Sequence, residues 1–161
     1  MYKNKAIRAV LLALSIFPLS VFASDLSLTN NKTDKVTTYS IEQLENLSTE
    51  KMMTITPWRD KEDVYDGIYL NDLIKIYGFE VKNIKEVKVT ALNDYSVEIS
   101  QESLLDKRYF AAFKRNGKRI PVRQKGPITL ILNFSDKSQG NNLLDIAYDQ
   151  VWFVSEIKII N

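Results

Sequence analysis

Ala91-Leu92-Asn93-Asp94-Tyr95-Ser96-Val97-Glu98-Ile99 decides how the rest of the chain is read. Before this stretch, Val87 and Val89 alternate with charged neighbours; within it, Tyr95, Val97 and Ile99 alternate with Ser96 and Glu98. A period of two with polar partners marks half-buried β-strands. Asn93 and Asp94 break the pattern between them, and both residue types favour turns because their side chains bond nearby backbone and tolerate unusual dihedrals. The plain reading is a strand-to-strand corner. A functional reading of the same polar knot depends on what the chain brings to it.

The chain has 161 residues, 45% of them hydrophobic, enough for one domain with its own core. It contains no Cys and no His. That composition excludes thiolate nucleophiles, disulfides, Cys or His zinc sites and Ser-His-Asp triads. Carboxylates, Lys and Tyr remain for acid–base work, and none of them forms a recognisable catalytic pair in the sequence. The expectation is a protein with no catalytic residues and no metal ligands.

Residues 1–23 read as a secretory signal peptide: Lys3, Lys5 and Arg8, then an apolar run from Ala9 to Phe22, then Val21-Phe22-Ala23 before a cut. The run is short for a membrane span, which needs roughly 20 apolar residues, and Pro18 interrupts it. No Cys follows the expected cut, so lipid anchoring is not expected. Subtracting the three leader positives from the whole-chain +2 leaves −1 on the mature chain. A near-neutral domain offers no electrostatic case for nucleic acid or anionic membranes. A secreted chain without cysteines fits a periplasm.

Residues 24–49 are expected as a polar lead-in and a short helix, with at most one edge strand and a loop from Asn30 to Lys35. Ser40 and Gln43 have capping-box spacing, with Ile41, Leu44 and Leu47 on one face. Residues 50–161 form the main domain. Met52 to Trp58 reads as a strand ended by Pro57, followed by a charged loop over Arg59–Asp63. Leu70, Leu73, Ile74 and Tyr77 give a short helix stopped by Gly78. Strands are expected near 85–91, 95–99, 108–115, 118–122, 128–134 and 151–160, with a helical turn at Gln101–Leu105. Asn116-Gly117 is a two-residue hairpin signal. Ile128-Thr129-Leu130-Ile131-Leu132 suits a strand buried on both faces. Neither repeats nor a second domain are visible, and the class is α+β with strands dominant.

Taken in order, Trp58, Gly67-Ile68-Tyr69-Leu70, Leu73-Ile74, Asn93-Asp94-Tyr95, Asn116-Gly117-Lys118, Lys125-Gly126-Pro127-Ile128, Val151-Trp152 and Glu156-Ile157-Lys158-Ile159 resemble the molybdopterin-binding domain of the sulfite-oxidase family. The resemblance covers about residues 50–160 and rests on the ordered set, since no single motif is specific. It implies a strand-dominated sulfite-oxidase-like fold with short helices. The departures are informative. Those enzymes hold molybdenum through a Cys thiolate, which this chain lacks; Val151 and Thr129 replace basic positions, and the catalytic segment is compressed to Ile84–Leu92. A molybdoenzyme is therefore not expected, and no molybdenum.

The chain is similar instead to small periplasmic pterin-binding regulators of that fold. This resemblance implies a reduced pterin as ligand and an inner-membrane partner with a periplasmic sensor domain and cyclic-di-GMP synthase or hydrolase domains, the signalling that governs biofilm. In this reading Asp94 takes the paired ring donors, Trp58 stacks on the ring, Asn93 and Tyr95 close its edge, and Arg59 reaches its carbonyl. Each has a plainer role as well: turn former, core, turn and strand residue, solvated charge. Two other functions stay open, a residual molybdopterin-dependent oxidoreductase and a ligand-free periplasmic interaction domain.

Overall fold

The computed structural model describes residues 25–47, 49–135 and 148–161. The signal-peptide expectation lies outside the described residues, as does most of the polar stretch Ser135–Asn142. Two sheets face each other across one main core. The first is five-stranded, in the order β2-β1-β11-β5-β6. Its strands are β1 (Leu26–Asn30), β2 (Thr33–Tyr39), β5 (Glu86–Ala91), β6 (Ser96–Ser100) and β11 (Val154–Ile160). The second contains β3 (Glu50–Thr54), β4 (Asp63–Tyr69), β7 (Phe110–Arg115), β9 (Thr129–Ile131) and β10 (Val151–Trp152), in the order β10-β9-β7-β4-β3, with β8 (Lys118–Arg119) paired to β7.

Alternation explains the layering. On β5, Val87, Val89 and Ala91 are buried while Lys88 and Thr90 are half-buried, and the strand turns through Leu92–Asp94 into β6, as the opening stretch predicts. On β7, Ala111 and Phe113 enter the main core, and Phe110 and Ala112 enter a second cluster with Met52, Tyr65, Ile120 and Ile131. That strand is apolar on both faces, so both are covered. β9 is likewise buried throughout.

The short helices are where capping places them. Ser40 accepts from the Gln43 N–H and Gln43 reaches back to the Ser40 N–H, so α1 (Ile41–Asn46) opens with the complete capping box. α2 (Leu70–Ile76) stops before Gly78, which takes φ +101. α3 (Gln101–Asp106) is capped by Ser100.

Five expectations need correction. β1 is not an edge strand: it lies between β2 and β11, parallel to β11, with Leu26 and Leu28 fully buried. Thr33–Lys35 are not loop but the start of β2, because Asn30 itself makes the turn by accepting the Lys32 N–H on its side chain. Asp63 is not loop but the first residue of β4, a strand hidden in the sequence by Asp66 and Gly67. The strand expected over 151–160 breaks at Phe153, and the one expected over 118–122 ends at Arg119, before Pro121, which has no N–H to give a ladder.

Candidate functional site

Four described non-glycine residues take positive φ: Asp94 (+64), Asn116 (+50), Lys125 (+75) and Phe153 (+58). Such backbone costs about 1–3 kcal/mol per residue and concentrates where structure is held for a purpose. Phe153 is the hub. Its N–H donates to the Lys125 carbonyl at 3.3 Å, and its own carbonyl accepts from the Leu92 N–H at 2.9 Å. One residue thereby ties the end of the 3₁₀ turn Val122–Gln124 to the β5–β6 corner.

The left-handed Phe153 also turns Trp152 outward. Trp152 is 39% exposed, and its ring stands edge-on to Trp58 with centroids 5.2 Å apart. Trp58 comes from the β3–β4 loop and rests partly on the second core cluster, so it is both a packing residue and a wall. The Lys125 ammonium lies 2.9 Å from the centroid of Trp152 and 4.7 Å from that of Trp58. Burial shifts Lys125 below the ordinary lysine range.

Beside the Trp pair runs a basic groove of about 470 Å³, lined by Arg59, Arg115, Arg123, Gln124 and Lys125. Its geometry is set by Asp63, whose carboxylate is almost fully buried. Arg59 Nε donates to Asp63 at 2.8 Å, Asn116 Nδ2 donates to it at 2.8 Å, and Arg115 lies 4.0 Å away. Burial alone would raise this carboxyl; the hydrogen bonds from Asn116 and Arg59 and the two guanidinium charges outweigh it and hold Asp63 below the ordinary range. Arg115 also donates to Gln124. The Asn116-Gly117 hairpin thus serves the site twice: it closes β7–β8 and, through the Asn116 side chain, holds the carboxylate that aims Arg59.

On the other side of Trp152 is a hollow of about 300 Å³, lined by Asn93, Tyr95, Tyr148, Gln150, Trp152 and Phe153. Among the described residues no charged side chain lines it. The Tyr95 hydroxyl donates to the Tyr148 carbonyl across the rim at 3.5 Å.

The structure places four of the five sequence candidates on the two sides of this wall. Trp58 and Arg59 line the groove; Asn93 and Tyr95 line the hollow. Asp94 is exposed on the corner between them and lines neither, with its N–H closing the turn onto the Ala91 carbonyl. Trp152 and Lys125, quoted above only as part of the ordered set, and Gln150 are site residues that the sequence did not single out; Val151-Trp152-Phe153-Val154 is apolar throughout, so nothing in it marks the break at Phe153. Among the described residues no cluster of three or more acidic side chains is placed to hold a metal ion, and no helix is long and apolar enough to cross a membrane.

The architecture is that of the sulfite-oxidase-like class, strand-dominated α+β with two sheets and short helices. One solved structure with this fold is the sulfane dehydrogenase SoxCD from Paracoccus pantotrophus: TM-score 0.60 and 14% identity, over 84% of this chain and 38% of that chain. The chain therefore spans well under half of that protein's length. No protein-family model matches the sequence, and no curated protein matches it.

Proposed function

We propose that the protein is a non-catalytic periplasmic binding protein for a reduced pterin, and that its loaded form acts on an inner-membrane signalling protein of the cyclic-di-GMP type. The observation that carries the reading is the Trp58–Trp152 pair standing between a basic groove and an uncharged hollow. A pterin is a flat bicycle of alternating donors and acceptors. It needs an aromatic wall and a few convergent polar groups, and pockets of a few hundred Å³ hold such ligands. The sequence supports binding over catalysis, since it has no Cys to hold molybdenum and no His. The ligand and the membrane partner rest on the resemblance to small pterin-binding regulators. Signalling requires that ligand change the affinity for one partner state over another.

The test is mass spectrometry of small molecules released from the mature chain, purified anaerobically from a periplasm, with fluorescence titration of the two Trp residues. About one pterin per chain and quenched emission are expected. No released pterin and no response to added reduced pterins would sink the reading.

A second reading, a ligand-free interaction domain, is favoured by one observation: the Lys125 ammonium already lies against both Trp rings. Lys125→Ala separates the two. Tighter pterin binding in the variant supports a side chain that yields to ligand; binding absent from both forms supports the closed site.

A further inference from the structure

Gln150 is buried to 5% exposure, and neither its carboxamide nitrogen nor its oxygen has a hydrogen-bond partner among the described residues. Buried carboxamides are ordinarily paired, and leaving both ends unmade destabilises a fold. Elsewhere the chain does pair them. The buried Asn30 amide donates to the Ile159 carbonyl and accepts from the Lys32 N–H, and the part-buried Gln101 amide donates to the carbonyls of Val81 and Ile84. Gln150 is the exception, and it sits on the wall of the uncharged hollow beside Trp152.

Its backbone is fixed from both sides. The Asp149 carboxylate accepts from the Tyr109 hydroxyl and from the Lys107 ammonium, each at 2.7 Å. Val151 pairs with Leu130 inside the second sheet. The residue between them has little freedom to swing toward water. What stands at the mouth is lighter: the Tyr95–Tyr148 hydrogen bond at 3.5 Å joins an exposed rim.

We propose that Gln150 is a specificity-determining residue that reads the adjacent N–H and C=O of a flat lactam. A primary carboxamide presents one donor and one acceptor side by side, and a cis-amide edge is its complement, taking both in parallel. The uncharged lining matches a neutral edge, while the arginines and Lys125 stand beyond Trp152. The lactam reaches the carboxamide as the tyrosine rim parts. This inference rests on the ligand site proposed above and deepens it, since a pterin carries such an edge at N3–H and C4=O.

The test pairs ligands that differ only at that edge: a reduced pterin against its 4-methoxy lactim ether, and quinazolin-4-one against 4-methoxyquinazoline, neither ether having the ring N–H. Each is titrated by Trp fluorescence into the full mature chain and into Gln150→Met and Gln150→Leu. The wild type is expected to prefer the lactam of each pair roughly 10- to 100-fold, since in either orientation the carboxamide faces two acceptors on the ether and makes both bonds only to the lactam. Gln150→Met and Gln150→Leu are expected to bind both members alike. Melting curves accompany every titration, and if the Met variant does not fold, the Leu variant decides.

A wild type that does not discriminate, or variants that keep its preference, overturn the inference. Quinazolinone discrimination without pterin binding supports Gln150 and sinks the pterin reading. Pterin binding with an unchanged preference in both variants does the reverse. Binding of none of the four compounds overturns both.

Discussion

Trp58 and Trp152 make the same kind of contact from opposite sequence contexts. Trp58 lies in a loop and is half-anchored on the second core cluster; Trp152 lies on a two-residue strand and is turned outward by Phe153. Truncating either removes a stacking face and the apolar area around it. Trp58→Ala and Trp152→Ala are each expected to weaken pterin binding by roughly tenfold, from ring stacking plus lost burial. Unchanged affinity in a folded Trp58→Ala variant would remove it from the site. Asp63 gives a pH prediction at the same scale. Its folded carboxyl titrates below the unfolded one, so its contribution is complete above the unfolded value of about 4 and lost as pH falls through the folded one. The melting temperature should therefore drop as pH is lowered from about 4. Asp63→Asn should cost about 1–3 kcal/mol at neutral pH, through the orphaned Arg59 and Asn116 donors, and flatten that acid limb. A variant with the same acid limb as wild type would show that other carboxylates set it.

At the scale of elements, the site is built from corners, and corners were only partly legible. Asn93-Asp94 and Asn116-Gly117 were readable as turns because Asn, Asp and Gly carry that chemistry locally. Lys125 and Phe153 were not, since nothing in a Lys or Phe announces a left-handed backbone; tertiary hydrogen bonds hold them there. β4 was missed for the converse reason. Asp63, Asp66 and Gly67 look like turn formers, yet Asp63 is paired with two guanidinium charges and the Asn116 amide, and Gly67 is required by packing: a Cβ there would lie 2.2 Å from the Ala111 carbonyl oxygen. Gly126 is tighter still, with a Cβ meeting the Ile120 carbonyl oxygen at 1.9 Å. That oxygen belongs to backbone and cannot step aside without moving the segment that carries Lys125. Gly126→Ala is expected to destabilise by about 1–3 kcal/mol and to weaken ligand binding beyond that loss of stability. A melting curve and a titration on the same preparation check both, and a variant with wild-type melting would mean the turn absorbs the methyl group.

For the whole molecule, the question is what the first strand is for. Composition made residues 24–49 look like an appendage, because Ser27, Thr29 and Asn30 dilute the alternation of Leu26 and Leu28. The sheet order reverses that impression: β1 bridges β2 to β11, and β11 is the strand that begins directly after Phe153. Leu26, Leu28, Ile41 and Leu44 are all buried to 5% exposure or less in the main core. Burial of each contributes about 1.5–3 kcal/mol, so removing four of them forfeits roughly 6–12 kcal/mol, comparable to the whole stability of a domain. The loss is compounded by leaving β11 with an open edge where β1 had paired. A chain beginning at Glu50 is therefore expected to show no cooperative thermal transition and no ligand binding, while the chain from Ser24 shows both. Circular dichroism and Trp fluorescence on the two chains decide it. A cooperative melt in the shorter chain would mean that β11 and β5 hold the sheet without β1, and that the first two strands serve a purpose outside the core.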